Sequence, residues 1–319
     1  MLRKTRIAVI FIFILTVAGY GAFSVYEKKH ADQTRPVIEM DSPSIVISVK
    51  DEESAIFRGM TAYDEKDGDV SENFIVENLS NFYEKGKRTA YIAVFDYDNH
   101  VNKITRDVIY ADYEEPVFEL TAPFDYQTRE SSSALTIQEL TEKMSVVDSI
   151  DGDVTGKVRL SSDYTLNAAI EGEYPMEFQV TTSAGYVSRL PITVRIYDER
   201  DEAKSPFIKL SKYLINVEKG TDIDPGAYVK SLEINGIVYT RSKDSDVFLS
   251  EVDGQNTAVL TTDLHAVSID ASAYDKETSG TYEIKYFLTD AEGDVGVARL
   301  YVVVREDDVI VTSEEAGTE

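Results

Sequence analysis

Read from its amino terminus, the chain changes its pattern of apolar and polar residues once, abruptly. Residues Ile7 to Tyr26 (IAVIFIFILTVAGYGAFSVY) form twenty consecutive positions without a charge, enough for a helix to cross about 30 Å of hydrocarbon. Beyond Tyr26, apolar and polar residues alternate over short stretches, the period of half-buried strands. Three of these stretches open on a proline: Pro36-Val-Ile-Glu-Met, Pro116-Val-Phe-Glu-Leu and Pro206-Phe-Ile-Lys-Leu. A proline has no N–H for a ladder and is tolerated at the first residue of a strand. Three others follow a glycine: KRTAYIAVF after Gly86, EYPMEFQVT after Gly172 and TYEIKYFLT after Gly280. Ten residues past each glycine stands Asp96, Thr182 or Asp290, and three further on Asn99, Gly185 or Gly293. The latter are residue types that accept positive φ in tight turns. Val101, Val187 and Val295 then begin a last strand, so one hairpin is written three times.

A repeated unit of this size, rich in short strands and turn signals, predicts an all-β fold of three tandem immunoglobulin-like β-sandwich domains after an N-terminal transmembrane helix. The boundaries follow the repeats: a cytoplasmic stub 1–6, a transmembrane anchor 7–26, a juxtamembrane linker 27–35, domains at 36–112, 116–198 and 206–305, and an acidic tail 306–319. The opening proline and the hairpin glycine lie 50 residues apart in the first unit, 56 in the second and 74 in the third. An addition of about twenty residues, an extra hairpin or long loop, is therefore expected between Gly236 and His265 of a divergent third domain. Linkers are short and acidic, Asp112-Tyr-Glu-Glu and Asp198-Glu-Arg-Asp-Glu-Ala-Lys-Ser, which limits interdomain freedom. The single helical signal outside the anchor is Thr136 to Met144, where Thr136 and Glu139 have capping-box spacing.

Composition supports this and narrows the partners. Twenty Tyr and thirteen Phe, with no Trp, suit pleated strands. Cysteine is absent, which removes disulfides, thiolate metal sites, a thiol nucleophile and a lipidated cysteine. The first 26 residues hold Arg3, Lys4 and Arg6 and no acid, leaving 29 Lys plus Arg against 58 Asp plus Glu in the rest. So acidic a surface repels phosphate backbones and anionic lipid heads, and no nucleic-acid partner is expected. The three leading bases favour a cytoplasmic amino terminus and an extracellular remainder. Gly19 and Gly21 also stand at a spacing that signal peptidase accepts, so a secreted, cleaved form is the alternative. The apolar run, however, is longer than a leader needs and continues past that point.

Ala62-Tyr-Asp-Glu-Lys-Asp-Gly-Asp-Val-Ser, Gly86 and Tyr91-Ile-Ala-Val-Phe-Asp together resemble the bacterial Ig-like domain family named after a pesticidal crystal protein. The second unit matches with Asp151-Gly-Asp-Val-Thr, Gly172 and Tyr174, and the third only in Gly280-Thr-Tyr282 through Asp290 and Gly293. The resemblance implies the sandwich fold and a bacterial cell-surface setting as spacer, stalk or binding module, and no particular activity.

The chemistry-bearing motif is D-x-x-D-G-D, present as Asp64, Asp67, Asp69 and again as Asp148, Asp151, Asp153. Carboxylates this close repel unless hydrogen-bonded or neutralised, and oxygen donors suit calcium. Sandwich geometry places the second loop beside the preceding linker, so Asp112, Glu114 and Glu115 are expected near it, in a calcium junction like those of cadherins but without the cadherin linker motif. The same aspartates can instead accept backbone N–H bonds and cap turns around Gly68 and Gly152, with no metal. His30, His100 and His265 have no nucleophile motif nearby and are expected to be ordinary residues. There is no phosphate loop, nucleophile elbow or zinc spacing, so an enzyme is not expected. Tyr97 and Tyr186, in the hairpin turns, are the candidate contact residues.

The expected function is non-catalytic, a membrane-anchored cell-surface spacer or an adhesion module for an extracellular protein or glycan, requiring no cofactor beyond the calcium considered above. Alternatives are a structural subunit of an envelope or secretion assembly, or an enzyme accessory module or hydrolase in the third domain.

Overall fold

The computed structural model describes residues 2–30, 34–128, 134–161, 166–198, 205–242, 247–250, 261–263 and 266–306. It divides into two compact units, Met1–Tyr110 and Ala111–Glu319.

The first unit begins with a helix, α1 (Leu2–His30), longer at both ends than the uncharged run. Seven strands follow: β1 (Val37–Met40), β2 (Ser44–Ile47), β3 (Met60–Asp64), β4 (Gly68–Asp69), β5 (Ile75–Leu79), β6 (Lys87–Phe95) and β7 (Val101–Tyr110). They make two sheets, β1-β3-β4 and β2-β7-β6-β5. Alternation explains the sandwich. Ala62 on β3 and Ala90, Ile92 and Val94 on β6 point inward and are buried, while their neighbours Tyr63 and Tyr91 are exposed. After β1 the chain crosses at Pro43 to the opposite sheet, where β2 pairs parallel with β7.

The second unit repeats this plan twice. Its first sandwich has β8 (Val117–Leu120), β9 (Asp125–Gln127), β10 (Met144–Asp148), β11 (Gly152–Asp153), β12 (Arg159–Leu160), β13 (Gly172–Thr181) and β14 (Val187–Tyr197), with helix α2 (Ile137–Thr141) between β9 and β10. The sheets are β11-β10-β8 and β12-β13-β14-β9. Helix α2 starts where the capping box places it: Thr136 accepts from the Glu139 N–H and Glu139 reaches back to the Thr136 N–H. The third sandwich has β15 (Phe207–Leu210), β16 (Leu214–Glu218), β17 (Val229–Ile234), β18 (Ile237–Arg241), β19 (Val247–Ser250), β20 (Thr261–Asp263), β21 (Val267–Asp270), β22 (Gly280–Thr289) and β23 (Val295–Arg305). The described part of the expected insertion forms β18, β19 and β20, which widen one sheet to β15-β17-β18-β19-β20. A two-residue turn at Asn235 (φ 52°) and Gly236 (φ 76°) starts it. The rest of the insertion, with His265, lies outside the described residues.

All three hairpin turns take the left-handed backbone expected of them, at Asn99 (φ 70°), Gly185 (φ 76°) and Gly293 (φ 91°). The two sandwiches of the second unit are not strung on a free linker. Their buried side chains, from Phe118 to Val304, form one hydrophobic cluster. Tyr301 and Arg299 on β23 reach Thr193 and Glu173 of β14 and β13. Asn216 on β16 donates to the Phe118 carbonyl of β8 at 3.1 Å.

Candidate functional site

In the first sandwich Asp64 ends β3, and Gly68 (φ 79°) lets the chain fold straight back into β4. That turn is held by Asp64, whose Oδ1 accepts the Lys66 and Asp67 N–H groups at 2.8 and 3.1 Å while Oδ2 accepts the Thr34 hydroxyl at 3.2 Å. The β3–β4 turn and the β6–β7 hairpin lie at the same end of the sandwich. Asp67 Oδ2 accepts the Tyr97 N–H at 2.9 Å, and Asp64, Asp67 and Asp96 each bring one carboxylate oxygen within 4.8 Å of the other two. Asp64 and Asp96 are buried. Asp96 accepts the Asp98 and His100 N–H groups at 2.9 and 2.8 Å and faces His100 Nδ1 at 2.8 Å. Burial pushes its carboxyl up, but the bonds from His100 and Asp98 outweigh this and hold it below the usual range.

Asp69 does not join them. It is exposed and caps the next turn, accepting Ser71 N–H and hydroxyl at 3.0 and 2.6 Å, the bonds that lower its pKa. The second sandwich repeats the local part: Asp148 Oδ1 accepts Ile150 and Asp151 N–H at 3.0 and 2.7 Å, and Asp153 accepts Thr155 N–H at 2.9 Å. It does not repeat the cluster. Thr182 replaces Asp96 and accepts the Tyr186 N–H at 3.2 Å, and Lys157 Nζ pairs with Asp151 at 2.6 Å. The Asp64, Asp67, Asp96 group is the one set of three metal-capable side chains found converging among the described residues.

The linker does approach the Asp148 turn, as expected, but through main chain and an aromatic ring. The Glu114 N–H donates to Ser149 Oγ at 3.1 Å, and that hydroxyl donates to the Glu114 carbonyl at 2.9 Å. Tyr113 is buried, its hydroxyl 3.4 Å from Asp148 Oδ2 and its ring edge-on to Tyr186 at 6.2 Å. Burial, helped by the Asp148 charge, raises the Tyr113 pKa. Asp112 and Glu114 are exposed and stand outside the converging group. Tyr186 is half-buried with its ring against Tyr113, whereas Tyr97 is 74% exposed at its turn.

Sequence reasoning missed two residues. Asp96 was visible only as a hairpin landmark, because its approach to Asp67 joins loops 29 positions apart. His100 was expected to be unremarkable and is instead the partner of a buried carboxylate; D-x-x-x-H across a tight turn was the signal available.

No family model matches the chain, and no curated protein matches it. Among solved structures, the protocadherin GammaB4 extracellular domain is 14% identical over 86% of this chain and 49% of its own, with a TM-score of 0.20. The M60 catalytic domain with two CBM51 domains of Clostridium perfringens ZmpB is 13% identical over 85% of this chain and 31% of its own, also at 0.20. Mouse cadherin-23 EC22-24 is 10% identical over 85% of this chain and 99% of its own, at 0.18. The chain spans less than two thirds of the first two. Superpositions this loose carry no functional implication.

Proposed function

We propose that this chain is a membrane-tethered, non-catalytic surface protein whose β-sandwiches stand outside the cell as a spacer or as a binding module for protein or glycan. One observation carries the reading. Val9–Tyr26 is a helical stretch apolar enough to cross a bilayer, and none of it is buried within the protein. Side chains such as Phe11, Phe13 and Phe23, each more than 60% exposed, then have lipid as their apolar surroundings. The Ig-like repeat with its D-x-x-D-G-D turns supports membership in the bacterial surface family it resembles. Cell fractionation tests the tether: the intact chain is expected in the membrane pellet after alkaline carbonate washing. Recovery in the soluble fraction, shortened by the leader, would refute it in favour of secretion.

A cation role at the first sandwich is a second reading, favoured by the convergence of Asp64, Asp67 and Asp96, whose oxygen-only chemistry suits calcium. It predicts a rise of several degrees (about 3–6 °C) in melting temperature in millimolar calcium, absent in Asp96→Asn and absent with magnesium. No shift would leave these aspartates as turn caps alone.

A further inference from the structure

The second unit carries a feature at odds with the acidity of the chain. Between its two sandwiches runs a groove of about 760 Å3 whose rim bears Lys209, Lys212 and Lys230, with Glu119 as the acidic residue lining it. All three lysines are exposed, and none makes an ion pair among the described residues. Several other lysines of the described chain pair with carboxylates, as Lys66 does with Asp98, Lys157 with Asp151 and Lys276 with Asp222. In a sequence with 58 acidic residues, three lysines against one glutamate give this groove a local excess of positive charge.

The groove is built from strand edges. β8, β15 and β16 each stand at the end of their sheet's order, with a single ladder neighbour, and all three contribute to its walls. Such edges present main-chain N–H and C=O groups that an extended chain can pair with. Part of β8 is already taken: Asn216 donates to the Phe118 carbonyl and Arg305 to the Pro116 carbonyl. Beyond those contacts Leu120 turns its main-chain groups away from β10, whereas the Thr121 N–H is already given to the Lys143 carbonyl at 2.9 Å.

We propose that this groove binds an extended acidic peptide, its main chain lying along the strand edges and its carboxylates meeting Lys209, Lys212 and Lys230. Charge selects the partner and sets its arrival rate, and ladder pairing selects peptide over other polyanions. The inference needs only that the second unit is exposed to solvent, so it stands apart from the membrane tether.

The test uses the full chain in detergent and a fluorescent decaglutamate peptide as probe. Binding is expected to weaken with rising salt and to fall about tenfold or more in the triple variant Lys209→Glu, Lys212→Glu, Lys230→Glu. Lys219→Glu, outside the groove, should bind as the wild type does, and the melting temperature of each variant checks folding. If the triple variant fails to fold, the three single Lys→Gln changes should each weaken binding. A backbone N-methylated decaglutamate should bind about tenfold more weakly than the plain peptide. No binding of decaglutamate, or binding indifferent to the lysine changes, would overturn the proposal. So would equal binding of the N-methylated peptide or of an acidic polysaccharide such as alginate, since neither offers the ladder.

Discussion

Replacing Tyr301 with Phe removes a single oxygen from the contact between the two sandwiches of the second unit. That hydroxyl accepts the Thr193 N–H at 2.9 Å and donates to the Thr193 carbonyl at 3.1 Å, so one side chain satisfies both main-chain groups of one residue. The ladder cannot do so. Like Arg195, whose N–H goes to the Phe124 carbonyl, Thr193 turns its main-chain groups away from β13, and β9 pairs with β14 only from Arg195 onward. Tyr301 is 4% exposed, leaving little access for a replacing water. Burial, with Glu283 nearby, raises its pKa and keeps it a proton donor. Stranding such a pair costs about 1–3 kcal/mol, and in a unit of this size each kcal/mol moves the melting point by about 2–4 °C. Tyr301→Phe in the full chain, followed by calorimetry in detergent, should therefore lower the transition of the second unit by about 2–12 °C. A melting point within about 1 °C of wild type would refute the bridging role and the view that the two sandwiches are held as one body.

Two further outcomes follow from single positions. A Cβ at Gly296 would stand 1.6 Å from the Pro206 carbonyl oxygen, so Gly296→Ala must push β15 away from β23. A loss of at least about 2 kcal/mol is expected in urea unfolding, and an unchanged midpoint would contradict the packing described. Asp96 is held below the usual carboxylate range in the folded chain, so its stabilisation is full above about pH 4 and is lost as pH falls through the folded pKa. The stability gap between wild type and Asp96→Asn should narrow from pH 6 to pH 3, and a constant gap would contradict the assignment.

What the sequence revealed was whatever is local. The hairpin turns needed positive φ at Asn99, Gly185 and Gly293, residue types with little choice in the matter. Thr136 and Glu139 cap a helix only three residues apart. The D-G-D-V-S/T turns were legible for the same reason: Asp69 and Asp153 bond residues two positions on. Contacts made between distant strands were not legible. Tyr301 meets Thr193 across 108 positions, and nothing in VARLYVVV distinguishes that tyrosine from an ordinary strand residue. The motif also concealed a division within itself. Its first two aspartates face the hairpin and its third faces away, a split fixed by Gly68 turning the chain rather than by residue type.

The absence of cysteine makes the central claim directly measurable, because each introduced thiol is the only one in the chain. Thr5→Cys and Glu277→Cys, expressed separately in intact cells, can be exposed to a membrane-impermeant maleimide. A tethered ectodomain predicts labelling at position 277 in intact cells and at position 5 only after lysis, both on a membrane-bound chain of full mass. Labelling of position 5 in intact cells, its loss from the mature protein, or protection of position 277 would contradict it.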